Sequence, residues 1–427
     1  MAINATELIE VRLWGHRVAA CSLDPASGFY VFEYDPSFLR RGIDLAPLHM
    51  PISRAGQLSI FPQLPEKTYQ RLPALLADAL PDAFGNALVD AYLAQHGLRS
   101  DEITPLDRLA YMGRRGFGAL EFHPITGPNR KGNTALEMAK LVEQARLAFS
   151  GQLASLEHDP SLQHLFQIGT SAGGARAKAA VAWNPQTQEL RAGQFDVNPG
   201  FEHWLLKFDG MGQDRELGAS SDYGRIEYAY HLMAREAGID MHDCRLLEEG
   251  GRAHFMTKRF DREANYKKHI QSLCAMDHLD FRLRATHAYE QMFHVFARLN
   301  LPPTDTQQGF LRMAMNVMAV NCDDHTKNIS FLLQEGKPWR LAPAYDLTYA
   351  YNPKGEWTYQ HLMSVNGKFS AITRADLLTV ADQFTIPQPH ALLKQVRQAV
   401  RNWPSYAHAA GVRSHIVDTI QNHITLL

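Results

Sequence analysis

At 427 residues the chain is too long for one ordinary core, and length alone predicts roughly two to three domains. Its 45% hydrophobic and 21% charged residues describe a folded globular protein, and 43 Lys and Arg against 45 Asp and Glu argue against nucleic-acid binding through net charge. Four scattered cysteines (Cys21, Cys244, Cys274, Cys322) with no CxxC pair exclude a disulfide framework and a zinc knuckle, and point to a reducing compartment. The opening MAINATELIEVRLWGHRVAA is interrupted by acidic residues where a signal peptide needs an apolar run. No segment approaches the ~18 apolar residues of a membrane span, so a cytoplasmic, soluble protein is expected.

VRLWGHRVAACSL and GFYVFEYD alternate as half-buried strands, with DPASG as the turn between them. From Pro73 the period becomes helical, placing Leu76, Leu80, Phe84, Leu88 and Tyr92 on one face. Pro81 is expected in the first turn of a second helix, and Gly97 marks a stop. GRRGFGALEFHP reads as a glycine-rich turn into a short strand. KAAVAW, ELRAGQF and HWLLKF are strand-like. YGRIEYAYHLMAREAG follows as a helix with Ile226, Tyr230, Met233 and Ala237 at helical spacing, and HFMTKRFDR is a strand ending in charge. Beyond about residue 266 the chain is mainly helical, in QMFHVFARLN, GFLRMAMNVMAV and HALLKQVRQAVRNW. The exceptions are ISFLL and WRLA, expected as a hairpin. The methionines of RMAMNVMAV read as core packing.

NCDDHTKN, residues 321–328, crowds ionisable groups directly before that hairpin. Phosphoryl transfer requires a base for the acceptor hydroxyl and hard oxygen ligands for magnesium on adjacent loops. Protein kinases supply these with D-x-x-x-x-N and a later Asp. Asp323 and Asn328 have that spacing, and the hairpin would return Asp346 beside them. In this reading Asp323 takes the hydroxyl proton while Asn328 and Asp346 hold Mg2+. Upstream, Thr170, Ser171, Gly173 and Gly174 lie in IGTSAGGARAK, ahead of Lys178, in a stretch where backbone N–H groups could approach phosphates. It is neither a Walker A loop nor G-x-G-x-x-G. Lys207, a single cation in the apolar HWLLKF, needs an anion: nucleotide phosphates, Glu227 on the next helix, or both. Asp324 and His325 read as supports that orient the loop.

The set GTSAGGARAK, HWLLKF, KRFDR, NCDDHTKN and APAYDL resembles the HipA-type serine/threonine kinases, toxins of bacterial toxin–antitoxin modules. YDPSFLRRGIDLAPLHMP, LPDAFG and GRRGFGALEF resemble that family's N-terminal subdomain, and the resemblance runs from about residue 10 to about residue 400. It implies an α+β, two-lobed protein-kinase-like fold. An N-terminal HipA-type subdomain would span 1–125, a β-rich N-lobe 126–265, and a helical C-lobe 266–427. It implies ATP and Mg2+ as cofactors, with Asp323 as base, Asn328 and Asp346 on the metal, and Lys207 and Lys178 facing phosphate. Lys258, Arg259 and Phe260 would lie around adenine, partly through backbone. Ser171, with Thr170 beside it, falls where some members autophosphorylate. The substrate implied is a protein hydroxyl, an aminoacyl-tRNA synthetase in known members. A helix-turn-helix antitoxin would be a separate chain, with DNA reached only through it. Asn321 and Cys322 depart from the His-Arg of H-R-D, and Lys258 places a cation where relatives often carry an acid. Two alternatives stand beside this reading: a metal-dependent phosphohydrolase using Asp323, Asp324, His325 and Asp346, and an inactive kinase-like scaffold in an antitoxin–DNA repressor complex.

Overall fold

The computed structural model describes residues 4–54, 56–128, 141–142, 166, 177–209, 213–214, 218–219 and 222–427. The first sheet contains β1 (Leu8–Leu13), β2 (His16–Leu23), β3 (Tyr30–Tyr34) and β4 (Leu120–His123), antiparallel in the order β3-β2-β1-β4. VRLWGHRVAACSL is therefore two strands, not one. Trp14 and Gly15 both have positive φ (49° and 79°), which makes the two-residue turn that suits the twist of a hairpin. The helical face that follows is also divided, into Ala74–Ala77 and Ala83–Gln95. Pro81 precedes the second helix instead of lying in its first turn, because Asp82 takes the cap and accepts the Gly85 N–H at 2.7 Å. Leu76, Leu80, Phe84, Leu88 and Tyr92 are buried all the same.

The second sheet has five antiparallel strands. β5 (Lys178–Trp183), β6 (Leu190–Ala192) and β7 (Glu202–Lys207) combine with Cys244–Glu249 and Arg252–Lys258, and β7 lies between β5 and Arg252–Lys258. Helix Tyr223–Glu236 packs on this sheet, and its Ile226, Tyr230 and Met233 are buried, with the Tyr230 hydroxyl donating to the Ala319 carbonyl at 2.5 Å. Its approach depends on Gly224, where an added Cβ would collide with the carbonyl oxygen of Ala253.

The remainder is largely helical. The buried methionines of Pro303–Met318 and the buried face of Tyr289–Arg298 form its interior. HALLKQVRQAVRNW breaks into Pro389–Arg401 and Trp403–Ala409, since Pro404 opens a new helix in its first turn. Ser330–Leu333 and Arg340–Leu341 form the expected hairpin, and His269–Ser272 pairs with its first strand. The α+β, two-lobed arrangement holds. The N-terminal segment is fastened to the rest by side chain–backbone bonds: Trp14 Nε1 to the Lys267 carbonyl (2.7 Å), Tyr69 Oη to that of Cys274 (3.1 Å), and Trp339 Nε1 to that of Asp44 (3.0 Å). Among the described residues no helix is long and apolar enough to cross a membrane.

Candidate active site

Two loops meet at the edge of the short hairpin. Residues 321–325 lead into a 3-10 turn at Thr326–Asn328 and then into Ser330–Leu333, while Asp346 follows Arg340–Leu341. The backbone ties the loops together. Cys322 N–H donates to the Ala350 carbonyl at 2.9 Å, and Ala350 N–H donates to that of Val320 at 3.3 Å. Val320 and Asp346 both adopt left-handed conformations, φ 55° and 53°. For a β-branched valine this is a true outlier, and such residues cost about 1–3 kcal/mol each and gather at functional sites.

Side chains complete the constellation. Asn328 donates its amide N–H to the Asp323 carbonyl at 2.8 Å, which leaves the amide oxygen as an available donor atom for a cation. Asn321, Asp324, Asn328 and Asp346 line one cavity together with Met292 and Arg312. The Asp323 side chain is half-exposed, with His325 Nε2 at 3.9 Å.

From the β-rich sheet, Lys207 reaches across to the Asp346 carboxylate and also bonds Glu227 Oε1 at 2.5 Å. The Lys207–Glu227 pairing expected from sequence is therefore present. Burial alone would push the Lys207 ammonium down, but Asp346 and Glu227 outweigh it and raise its pKa above the ordinary value. Burial would raise the Asp346 carboxyl, yet Lys207 and Lys178 hold it well below the usual carboxylate range. Lys178 lies directly opposite Lys207 on neighbouring strands and is itself buried. Desolvation lowers its pKa, Asp346 opposes that, and Lys207 adds to it. Two buried like charges in register are unfavourable on their own, so this strand pair is arranged for anions.

Thr170, Ser171, Gly173 and Gly174 lie outside the described residues. Lys258 is bonded to Glu202 at 2.6 Å. The Phe260 ring tilts against Tyr345, 5.6 Å between centroids, beside Asp346 in sequence. Arg259 sends its side chain into a buried ion cluster with Asp261.

Sequence reasoning missed several neighbours. Asp78 lies 3.9 Å from Lys327, and burial pushes the Asp82 carboxyl up to about 6 against the pull of Lys178 and Lys327, so the LPDAFG stretch reaches toward the lysines. Asp324 is buried, and both its oxygens are engaged: by the Leu362 N–H (2.8 Å), the Tyr289 hydroxyl (2.8 Å) and His361 Nδ1 (2.9 Å). That is the support role expected for Asp324, and it removes the residue as a free ligand for a phosphohydrolase metal. Burial acts to lower the His361 pKa, but Asp324 more than offsets this and holds it at about 10.

A pKa raised on folding means that proton binding stabilises the fold. The contribution is complete below the unfolded value of ~6.5 and is lost as pH rises toward about 10. The urea midpoint of the wild type should therefore fall between pH 7 and pH 10 more steeply than that of His361→Asn. Parallel pH profiles would show that the pair contributes nothing on protonation.

Residues 170–403 match the profile of the HipA-like C-terminal domain, and residues 9–123 that of the HipA N-terminal domain. The chain belongs to the HipA family. Among solved structures it resembles one from the Shewanella oneidensis MR-1 toxin–antitoxin system of HipA, HipB and operator DNA. The TM-score is 0.66 at 16% identity, covering 97% of this chain and 94% of that one. A looser likeness, TM-score 0.33 at 12% identity, is to the Helicobacter pylori proinflammatory kinase CtkA, covering 53% of this chain and 92% of that one. The HipA C-terminal match contains Lys178, Lys207, Asp323, Asn328 and Asp346. The N-terminal match contains Asp78 and Asp82.

Proposed function

We propose that this HipA-family chain is an ATP- and Mg2+-dependent serine/threonine protein kinase, the toxin of a toxin–antitoxin pair. The observation that carries the reading is the bridge from Lys207 to both Glu227 and Asp346. Protein kinases require a strand lysine paired with a helix glutamate, together with a metal-binding aspartate, and here one ammonium touches candidates for both.

The donor set suits magnesium. Asn328 offers an amide oxygen and Asp346 a carboxylate, hard ligands of the kind Mg2+ prefers. When bound, Mg2+ would neutralise charge on the phosphates being separated. Lys207 and Lys178 hold phosphate oxygens, which compete with Asp346 for the Lys207 ammonium. Asp323, exposed enough to meet an incoming hydroxyl, accepts its proton as the new O–P bond forms and the β–γ bridging bond breaks. The acceptor is a protein hydroxyl, an aminoacyl-tRNA synthetase being one candidate, and Ser171 or Thr170 is the site of self-modification. The antitoxin is a separate helix-turn-helix chain, and DNA is reached only through it.

ATP with Mg2+ should raise the melting temperature of the purified chain, and γ-labelled ATP should label it or an added protein. Lys207→Met should abolish the nucleotide-dependent rise. A shift produced equally by transition metal alone would favour the phosphohydrolase. Growth inhibition equal for wild type and Asp323→Asn would remove the toxin role while leaving the fold untouched.

A further inference from the structure

The loop that carries Asp323 has little regular structure to hold it. Beyond the single 3-10 turn and the backbone bonds of Asn321 and Cys322, its side-chain anchors include Asp324, Thr326, whose hydroxyl donates to the Leu279 carbonyl at 2.7 Å, and the Asn328 amide. Of these Asp324 is the most heavily anchored. Its side chain is 1% exposed and that of His361 7%, so the pair is shielded from water, where a charge-assisted hydrogen bond is strongest. The Tyr289 hydroxyl that donates to Asp324 accepts from Asn316 Nδ2 at 2.9 Å. Asn316 Oδ1 accepts from Asn321 Nδ2 at 2.9 Å, and that same amide stands 3.5 Å from the Asp346 carbonyl. A continuous buried chain thus runs from His361, through the residue after Asp323 and the residue two before it, to Asp346.

We infer that His361 is a positioning residue: clamped to Asp324, it sets the backbone of residues 321–328 and hence the aim of Asp323 and Asn328. What it positions rests on the kinase reading above; the clamp itself does not. His361 suits the task because it lies on a separate segment, and Met363–Ser364 just beyond it pairs in parallel with His287–Ala288, immediately before helix Tyr289–Arg298. The histidine is therefore held from its own side, and its ring delivers that rigidity to the loop. Its other nitrogen lies 4.0 Å from the Cys322 sulfur. The contact that matters is Nδ1. An asparagine amide can occupy that place, whereas leucine fills the space without a donor.

The test uses the full chain with His361→Leu, His361→Asn, Asp324→Asn and the double variant His361→Leu/Asp324→Asn. Single-turnover labelling from γ-labelled ATP should fall roughly 10²-fold in His361→Leu, the loss expected for a small misplacement of a reacting group. Apparent affinity for ATP should stay within about 2-fold, and His361→Asn should recover most of the rate. Because the pair acts as one unit, the double variant should be little worse than the worse single. Hydrogen exchange of residues 321–328 without nucleotide should be faster in His361→Leu and close to wild type in His361→Asn. An unchanged rate in His361→Leu, losses that multiply in the double variant, or exchange that does not respond would each overturn the inference. If the wild type transfers no phosphate, the kinase reading fails, and the exchange arm still decides the clamp. If His361→Leu does not fold, comparison of His361→Asn with Asp324→Asn decides it.

Discussion

Asp346→Asn should lose both phosphoryl transfer and the magnesium-dependent part of the ATP melting shift, whereas Asp323→Asn should lose transfer alone. The two carboxylates occupy different electrostatic positions. Asp346 is held ionised by Lys207 and Lys178, and asparagine would leave both buried ammoniums without their shared anion while weakening a hard-cation site. Asp323 is half-exposed and stands outside the bridge from Lys207 to Glu227 and Asp346, so its removal should leave the lysine cluster intact. Loss of a general base costs roughly 10²–10⁴ in rate, and the Asp323 variant should fall in that range with its ATP-induced stabilisation retained. Transfer surviving in Asp346→Asn, or loss of nucleotide stabilisation in Asp323→Asn, would reverse the roles assigned here.

Some of this site was readable along the chain and some was not, for physical reasons. Asp323 and Asn328 share one loop, so their relation is a matter of spacing, and Asp346 returns because a hairpin is the shortest way back. Lys207 stood out because an ammonium in HWLLKF needs an anion, and Glu227 is the acid on the helix that packs over that strand. His361 gave no such signal. A lone histidine in a polar segment has no periodicity, and its meaning comes from Asp324, 37 residues away. Asp78 and Asp82 approach the lysines only because the N-terminal segment packs against the strand His269–Ser272, where the Ser272 N–H and hydroxyl both bond Asp78. The turn at Trp14–Gly15 hid inside an apolar alternation that continued past it. KRFDR was read for its resemblance around a nucleotide, yet three of its charges, Arg259, Asp261 and Arg262, point inward, and pattern alone does not tell a cleft-facing arginine from a buried one.

Those inward charges support the second large effect. Asp261→Asn should destabilise the chain by about 3–5 kcal/mol, the usual cost of breaking a buried ion pair from one side. Asp261 accepts from Arg259 at 2.9 and 2.7 Å, from Arg262 at 2.5 Å and from the Gly118 N–H at 2.8 Å, with all three side chains 3% exposed or less. The two guanidiniums also donate to the Gly116 and Gly118 carbonyls, so this carboxylate fastens the glycine-rich turn of the N-terminal segment to the end of strand Arg252–Lys258. Burial would raise its pKa, but Arg259 and Arg262 hold it well below the ordinary range. The stabilisation is therefore present above the unfolded carboxylate value of ~3.9 and is lost only as pH falls through the depressed folded one. Asparagine keeps the shape and removes the charge, leaving two buried cations facing each other. The control is Glu202→Gln, which breaks the partly exposed pair with Lys258 and should cost no more than about 1 kcal/mol. Urea unfolding followed by tryptophan fluorescence should show the first transition of Asp261→Asn well below that of wild type and of Glu202→Gln. Coincident midpoints for all three would mean that the segment is held by apolar packing alone.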